Sequence, residues 1–365
     1  MPVFLFTGFF KIDSYVLISL IYIFLILIGL LFIFIVLVTF YKSRIEFNKK
    51  LWLQRIELII SHAIFSSDEE EDKPEDITAG IGLLLQKSLF RQYLVNELIH
   101  ARKNLSGSST LNLVKLYESL ELDKDSFKKL QSKEWHIKAK GIQELAIMEQ
   151  IKYVKEIFRL TNYENELVRN EAQCALVNFY GFSGLRFLNV TTYPISQWQQ
   201  IQLLYKLNGV KPKNFDGIKK WLQSPNESVK VFSLKLAAYF NLYDVYADVI
   251  NCLQSPDLLV RLTALEYLKK MPQEDTPEKI ISIYSFVNKK SKLIILDILK
   301  EAGSEKQMLF LLKQLHNSDD DIKVAAAKTL SGIHPLGASC LQTHLFADEY
   351  PWNAIFLQIN NERAA

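Results

Sequence analysis

Ser255-Pro256-Asp257-Leu258-Leu259-Val260-Arg261-Leu262-Thr263-Ala264-Leu265-Glu266-Tyr267-Leu268-Lys269-Lys270-Met271 reads as a complete helix with its own start signal. Ser255 offers an N-cap, Pro256 suits the first helical position, and Asp257 places a carboxylate beside the positive helix end. Thirty-one residues earlier the same start is written as Ser224-Pro225-Asn226-Glu227. Arg261 belongs to a series that keeps this phase: Lys138, Arg169, Gln200, Lys230, Arg261, Lys292 and Lys323, with one step of 30. Seven residues after each member stand Leu145, Leu176, Leu207, Ala237, Leu268, Leu299 and Leu330, so a core position repeats as well as a charge. A period of about 20–50 residues predicts stacked supersecondary units, none of which buries its apolar face alone.

Each unit reads as a pair of antiparallel helices. The seventh starts at Asp319-Asp320-Asp321, and Gly209, Gly303 and Gly332 are placed as C-terminal caps of first helices. Second helices are expected at Ile151–Leu160, Gly184–Leu188, Phe215–Leu222, Val245–Leu253, Pro277–Val287, Lys306–Leu315 and Ser339–Phe346. The second of these is short and is followed by Tyr193-Pro194, so an irregularity is expected there.

Glu166-Leu167-Val168-Arg169 with Ala172, Ala175 and Leu176 resembles the short bacterial HEAT repeat, as do Asp257–Arg261 with Ala264 and Leu268, and Asp321-Ile322-Lys323-Val324-Ala325-Ala326. The resemblance covers roughly 133–348. It implies an all-α fold, an α-solenoid of about seven HEAT-like helix pairs. It also implies that the periodic bases bridge neighbouring repeats through carboxylates and helix ends, and that second helices line a concave face. Gln200 in place of the base and Ser291 in place of the Val depart from the pattern, so repeats three and six are expected to be less regular, alongside repeat two.

Tyr15–Phe40 holds no charge, and 26 residues of helix rise roughly 39 Å, enough to cross a hydrocarbon core about 30 Å thick. Lys11 and Asp13 precede this stretch, whereas Lys42, Arg44, Lys49, Lys50 and Arg55 follow it with Glu46 among them. A signal peptide would carry a basic start, a shorter apolar core and a small-residue end. The charge bias therefore predicts a single-pass inner-membrane protein, N-terminus out and repeats in the cytoplasm. A helical repeat array behind one N-terminal span also resembles bacterial membrane-anchored HEAT proteins. The flanking bases suit anionic headgroups as well as topology. Gly29 stands alone in the span, so no GxxxG pairing motif is present.

The expected organisation is a short extracytoplasmic segment (1–14), a transmembrane helix (15–41), a juxtamembrane helix and acidic linker (42–80), a helical cap (81–132), the array (133–348) and a C-terminal lid (349–365). Within the linker, SSDEEEDKPED at Ser66–Asp76 reads as solvated chain. Forty-three bases against 40 acids imply no nucleic-acid partner. Cys174, Cys252 and Cys340 have no metal-ligand spacing, and the six histidines form no HExxH, so no metal or cofactor is expected.

No phosphate loop, GxSxG or Cys/His arrangement is present, and the paired acids sit in loops and helix starts. The functional expectation is a non-enzymatic membrane-anchored scaffold for a protein partner. The alternative is a HEAT-like enzyme, glycosylase- or lyase-like, acting on nucleic acid or a prosthetic group. Lys152, Lys155, Arg159, Lys219 and Lys220 on second helices are the candidate binding residues, for an acidic segment, against the plainer reading of solvated bases. Phe158 and Trp221 beside them match apolar repeat positions and are expected in the core.

Overall fold

The structure is a computed structural model that describes residues 14–65, 81–105, 107, 109–210, 217–333 and a few positions between 337 and 361. Every described element is helical. The chain divides into two compact units, Met1–Asp125 and Ser126–Ala365. The expected acidic linker, the seventh second helix at Ser339–Phe346 and the C-terminal lid fall wholly or largely outside the described residues.

In the first unit, α1 runs unbroken from Ser14 to Phe65, α2 covers Gly82–Leu85, α3 Ser88–Asn104 and α4 Ser109–Ser119. The apolar stretch and the juxtamembrane helix, read separately in the sequence, are thus one helix of 52 residues. Its first half is exposed along its length and is apolar and long enough to cross a membrane. The hydroxyls of Ser19 and Thr39 donate to the Tyr15 and Ile35 carbonyls at 2.8 Å, which satisfies them without water. Its second half is amphipathic. Ile56, Ile59, Ile60 and Ala63 are buried with Phe90, Leu94 and Leu98 of α3 and Leu113, Leu116 and Tyr117 of α4. Trp52 meets Phe90 edge-on at 5.9 Å. Arg91 clamps the turn after α4, donating to Asp125 Oδ2 at 2.5 Å and to the Leu120 and Glu121 carbonyls at 3.1 and 2.9 Å. Helix α5, Leu122–Leu130, contains the boundary between the units.

In the second unit the first helices of the seven repeats are α6 (Trp135–Ile147), α8 (Glu166–Tyr180), α9 (Gln197–Lys206), α11 (Glu227–Tyr239), α13 (Leu258–Lys270), α15 (Lys289–Ala302) and α17 (Asp320–Ile333). Second helices are α7 (Val154–Arg159), α10 (Gly217–Leu222), α12 (Tyr246–Cys252), α14 (Thr276–Ile283) and α16 (Met308–Gln314); in repeat two a 3-10 segment, Gly181–Asn189, takes this place. The expected irregularity of repeat two is therefore present. All seven phased residues from Leu145 to Leu330 are buried. The second helices carry a phase of their own, Ile157, Leu188, Ile218, Val249, Ile280 and Leu311, all buried and again with one step of 30. Both series lose their residue between 200 and 218, so the deletion lies in repeat three.

Side-chain hydrogen bonds that join different repeats link residues 12 to 35 apart, and among the described residues none reaches further. Each repeat thus touches its neighbours alone, which defines a solenoid.

Several sequence expectations are refined. The caps are Asp257 and Asn226, which accept from the Val260 and Ser228 amides, while Ser255 and Ser224 brace them by accepting from the Asp257 and Asn226 amides at 3.2 Å. Each proline therefore sits before the cap, where no helical N–H is needed. Of the three expected glycine caps only Gly209 is left-handed, at φ 78°; Gly332 lies inside α17, and Glu149 and Asn241 bend the chain after α6 and α11. The periodic bases find their hydrogen-bond partners in the turn or helix end just before their own helix, or one turn back along it, rather than on carboxylates of neighbouring repeats. Arg169 donates to the Tyr163 and Glu164 carbonyls at 2.7 Å, Arg261 to those of Ser255 and Pro256 at 2.6 and 2.9 Å, and Lys138 to Leu130 at 3.0 Å. Each ties down the turn before its helix, and burial lowers the Lys138 pKa. The link to the next repeat is a ring: Arg169 lies 4.1 Å from the Tyr193 centroid.

Repeat three replaces Val and base with Gln199 and Gln200, both buried. Gln199 donates to the buried Gln173, which donates to the Thr161 carbonyl at 2.8 Å; Gln200 donates to the Ile195 carbonyl and accepts from Lys235 at 2.9 Å. Polar links replace apolar packing to both neighbours. Repeat six is regular despite Ser291, because Asn288 caps α15 through the Ser291 amide at 3.0 Å. The Ser291 hydroxyl, however, is fully buried with no partner. Ser291→Val is therefore expected to stabilise the protein by about 1 kcal/mol, by removing an unpaired hydroxyl and adding buried carbon. A urea midpoint that rises with an unchanged slope checks this.

Candidate functional site

The sequence-derived bases occupy exposed positions on the second helices. Lys152, Lys155, Arg159 and Lys220 are all exposed, and Lys152 lies 5.4 Å from the Tyr153 ring. Lys155 and Arg186 hold the same repeat position, as do Arg159 and Lys220, and Arg186 is exposed as well. Among the described residues none of Lys155, Arg159, Arg186 or Lys220 forms an ion pair. Lys219 is exposed too, and lies 3.8 Å from the exposed Asp244 of repeat four. At the Lys152 position repeats four and five present the exposed Asp244 and Asp275, and repeat six returns to a base at Lys306. The sequence reading overlooked Arg186, although the 31-residue step from Lys155 points to it.

Trp221 is core, with its Nε1 donating to Asn189 Oδ1 of repeat two at 2.9 Å. Phe158, expected in the core, is exposed because α7 is short and turns its Ile157 inward instead.

A second surface lies on α9. Ser196 starts this helix by accepting from the Gln199 amide, and Leu203 and Leu207 form its core face. Trp198, Ile201 and Tyr205, at steps of three and four, form a stripe on another face and are 65%, 57% and 80% exposed. The residue at the Ile201 position in repeat four is Val231, 1% exposed. The difference has a physical source. Helix α9 spans only 10 residues and packs on α8 more sparsely than α6 does, so the Ile201 position stays open here, while the Trp198 position is exposed in repeats two and five as well, at Leu167 and Leu259. The stretch Gln197–Leu207 carries more apolar residues than one helical face can bury, which was a readable signal.

Two cavities lie among the described residues. One of about 210 Å³ lies between repeats three and four, lined by Lys230, Asp248, Asn251 and Cys252. Gln223 donates to Asp248 at 3.3 Å, and Lys230 sits 3.2 Å from Glu227. Burial pushes the Cys252 thiol up to about 11, and that of Cys174 likewise, so neither is a ready nucleophile. The other, about 290 Å³, lies in the first unit between α1 and α3, lined by Glu57, Ser61, Glu97 and His100 among apolar neighbours. Among the described residues no group of three potential metal ligands converges.

No protein-family model and no curated protein matches this chain. Among solved structures, a chain of the complex in which Kap95p binds RanGDP is similar, at 13% identity and a TM-score of 0.47. It covers 82% of this chain, which spans only 48% of that one. A chain of the CpcE–CpcF phycocyanin lyase complex from Nostoc sp. PCC7120 is 12% identical, with a TM-score of 0.25 and coverage of 81% and 97%.

Proposed function

We propose that this protein is a non-enzymatic scaffold, anchored in a membrane by the first half of α1, whose helical-repeat unit holds a protein partner. The observation that carries this reading is the exposed stripe Trp198–Ile201–Tyr205. Large aromatics flanked by small apolar contacts supply binding energy at protein interfaces, and a solvent-facing Trp, Ile and Tyr on one helix face gain from being covered. The basic row from Lys152 to Lys220 favours acidic segments on such a partner and steers their approach. The bases after the apolar half of α1 support a cytoplasmic repeat unit, and confinement to the membrane raises its effective concentration for a membrane-bound partner.

Purification of the full-length protein in mild detergent is expected to recover a stoichiometric protein partner. Trp198→Ser with Tyr205→Ser should reduce that recovery more than tenfold while the melting temperature stays close to the wild-type value, since both side chains face solvent. Lys155→Glu with Arg159→Glu should weaken it mainly at low salt. Repeated recovery of the wild-type protein alone would overturn the reading.

A further inference from the structure

The cavity of about 290 Å³ between α1 and α3 is lined by charge of one sign. Its floor is apolar, made by Ile56 and Ile60, which are buried, and by the half-buried Leu53 and Ala101. Glu57 of α1 and Glu97 of α3 line it from the two helices, and among the described residues neither carboxylate is engaged in an ion pair or hydrogen bond. No Lys or Arg lines it. His100 adds an acceptor, because the side-chain nitrogen of Asn104, a donor, faces its Nε2 at 3.4 Å. Two unpaired carboxylates over one apolar recess concentrate negative potential there, and a cation relieves it.

We propose that this cavity binds a small linear aliphatic diamine, with one ammonium on Glu57, the other on Glu97 and the methylenes between them over the apolar floor. The lining chooses this ligand class step by step. Anionic and neutral molecules leave both carboxylates unpaired, and a monoamine leaves one. A metal ion does not fit, because Glu57, Glu97 and His100 do not converge as a ligand group. Glu57 lies 17 residues beyond Phe40. That is a helical rise of about 25 Å, too far for the ammonium of a lipid headgroup at the end of the apolar half. Occupancy joins α1 to α3 through two charge-assisted hydrogen bonds, so the ligand stabilises the first unit. The site shares no residue with the α9 stripe or the basic row, and it stands or falls separately from them.

The probe is 1,5-diaminopentane, set against 1-aminopentane and 1,5-pentanediol. Binding to the full-length protein in phosphatidylcholine nanodiscs is read by saturation-transfer NMR, with empty nanodiscs as background. The diamine is expected to bind about tenfold more tightly than the monoamine, the worth of one further charge-assisted hydrogen bond, and the diol not at all. Glu57→Gln and Glu97→Gln should each bring the diamine down to the level of the monoamine, and the two together should abolish binding. Ala101→Leu, which fills the floor and leaves the charge unchanged, should abolish it as well, with helical circular dichroism retained. Equal affinity for diamine and monoamine, or diamine binding that survives the double Gln variant or a folded Ala101→Leu, overturns the proposal. Absence of diamine binding to the wild-type protein does so too.

Discussion

Trp221→Ala is expected to cost the second unit about 3–5 kcal/mol, the range for removing a fully buried indole. Trp221 is 1% exposed on α10, a helix of six residues, and its Nε1–H binds Asn189 of the preceding repeat at 2.9 Å. Both flanking elements are weak by design of the sequence: repeat two contributes a 3-10 segment in place of a second helix, and α9 is short. One side chain therefore carries much of the junction between repeats two and three. In a solenoid, stability is close to a sum of repeat and nearest-neighbour terms, so loss of one junction should also broaden the unfolding transition as the two halves uncouple. Trp221→Phe keeps most of the apolar contact and loses only the hydrogen bond, and should cost about 1 kcal/mol. Urea unfolding followed by circular dichroism separates the two. Equal, small losses would mean that the junction is held elsewhere.

Gly141→Ala is the second large effect, about 3 kcal/mol or more, although alanine is the better helix former by about 1 kcal/mol in an open helix. Gly141 lies on α6 directly against the backbone of α5. A Cβ there would stand 2.7 Å from the Ser126 carbonyl oxygen and 2.9 Å from the Lys129 carbonyl carbon, and closer still to the Leu130 nitrogen. Backbone cannot rotate away as a side chain can, so the helices must separate. Separation also strains the buried pair they share: Glu144, 1% exposed, accepts from Ser126 at 2.5 Å and from Lys129 at 2.6 Å. A buried carboxylate stripped of its partners is itself worth several kcal/mol of destabilisation. Gly332→Ala, at the next-to-last residue of α17 with the Lys300 side chain as its nearest neighbour at 3.4 Å, is the matching control and should be near neutral or stabilising. A similar loss at both positions would point to helix propensity rather than close approach.

The repeat fold was legible because its cause is periodic. A unit that buries one apolar face must place Leu145 and its six counterparts at one phase, and an N-cap such as Asp257 or Asn226 must precede each first helix. Cap identity slipped by two residues because Ser and Asp are chemically equivalent as caps, and only the backbone turn decides which one accepts from the helix. The ladder of bases was legible as a series, but not its partners, since turn carbonyls carry no sequence signature. Exposure was the least legible property. Ile201 and Val231 occupy one repeat position with similar chemistry, yet one is open and the other closed, because burial depends on the length and fit of adjacent helices.

By itself the sequence determined the all-α solenoid, its register, the apolar half of α1 and the charge bias that follows it, because each arises from local spacing along the chain. Tertiary structure alone decided that α1 continues unbroken into the core of the first unit, that Trp198, Ile201 and Tyr205 stay uncovered, and that Phe47, Leu51, Leu58 and Phe65 face solvent. Those are questions of which surfaces meet. Packing between helices answers them, through distances that no single helix encodes.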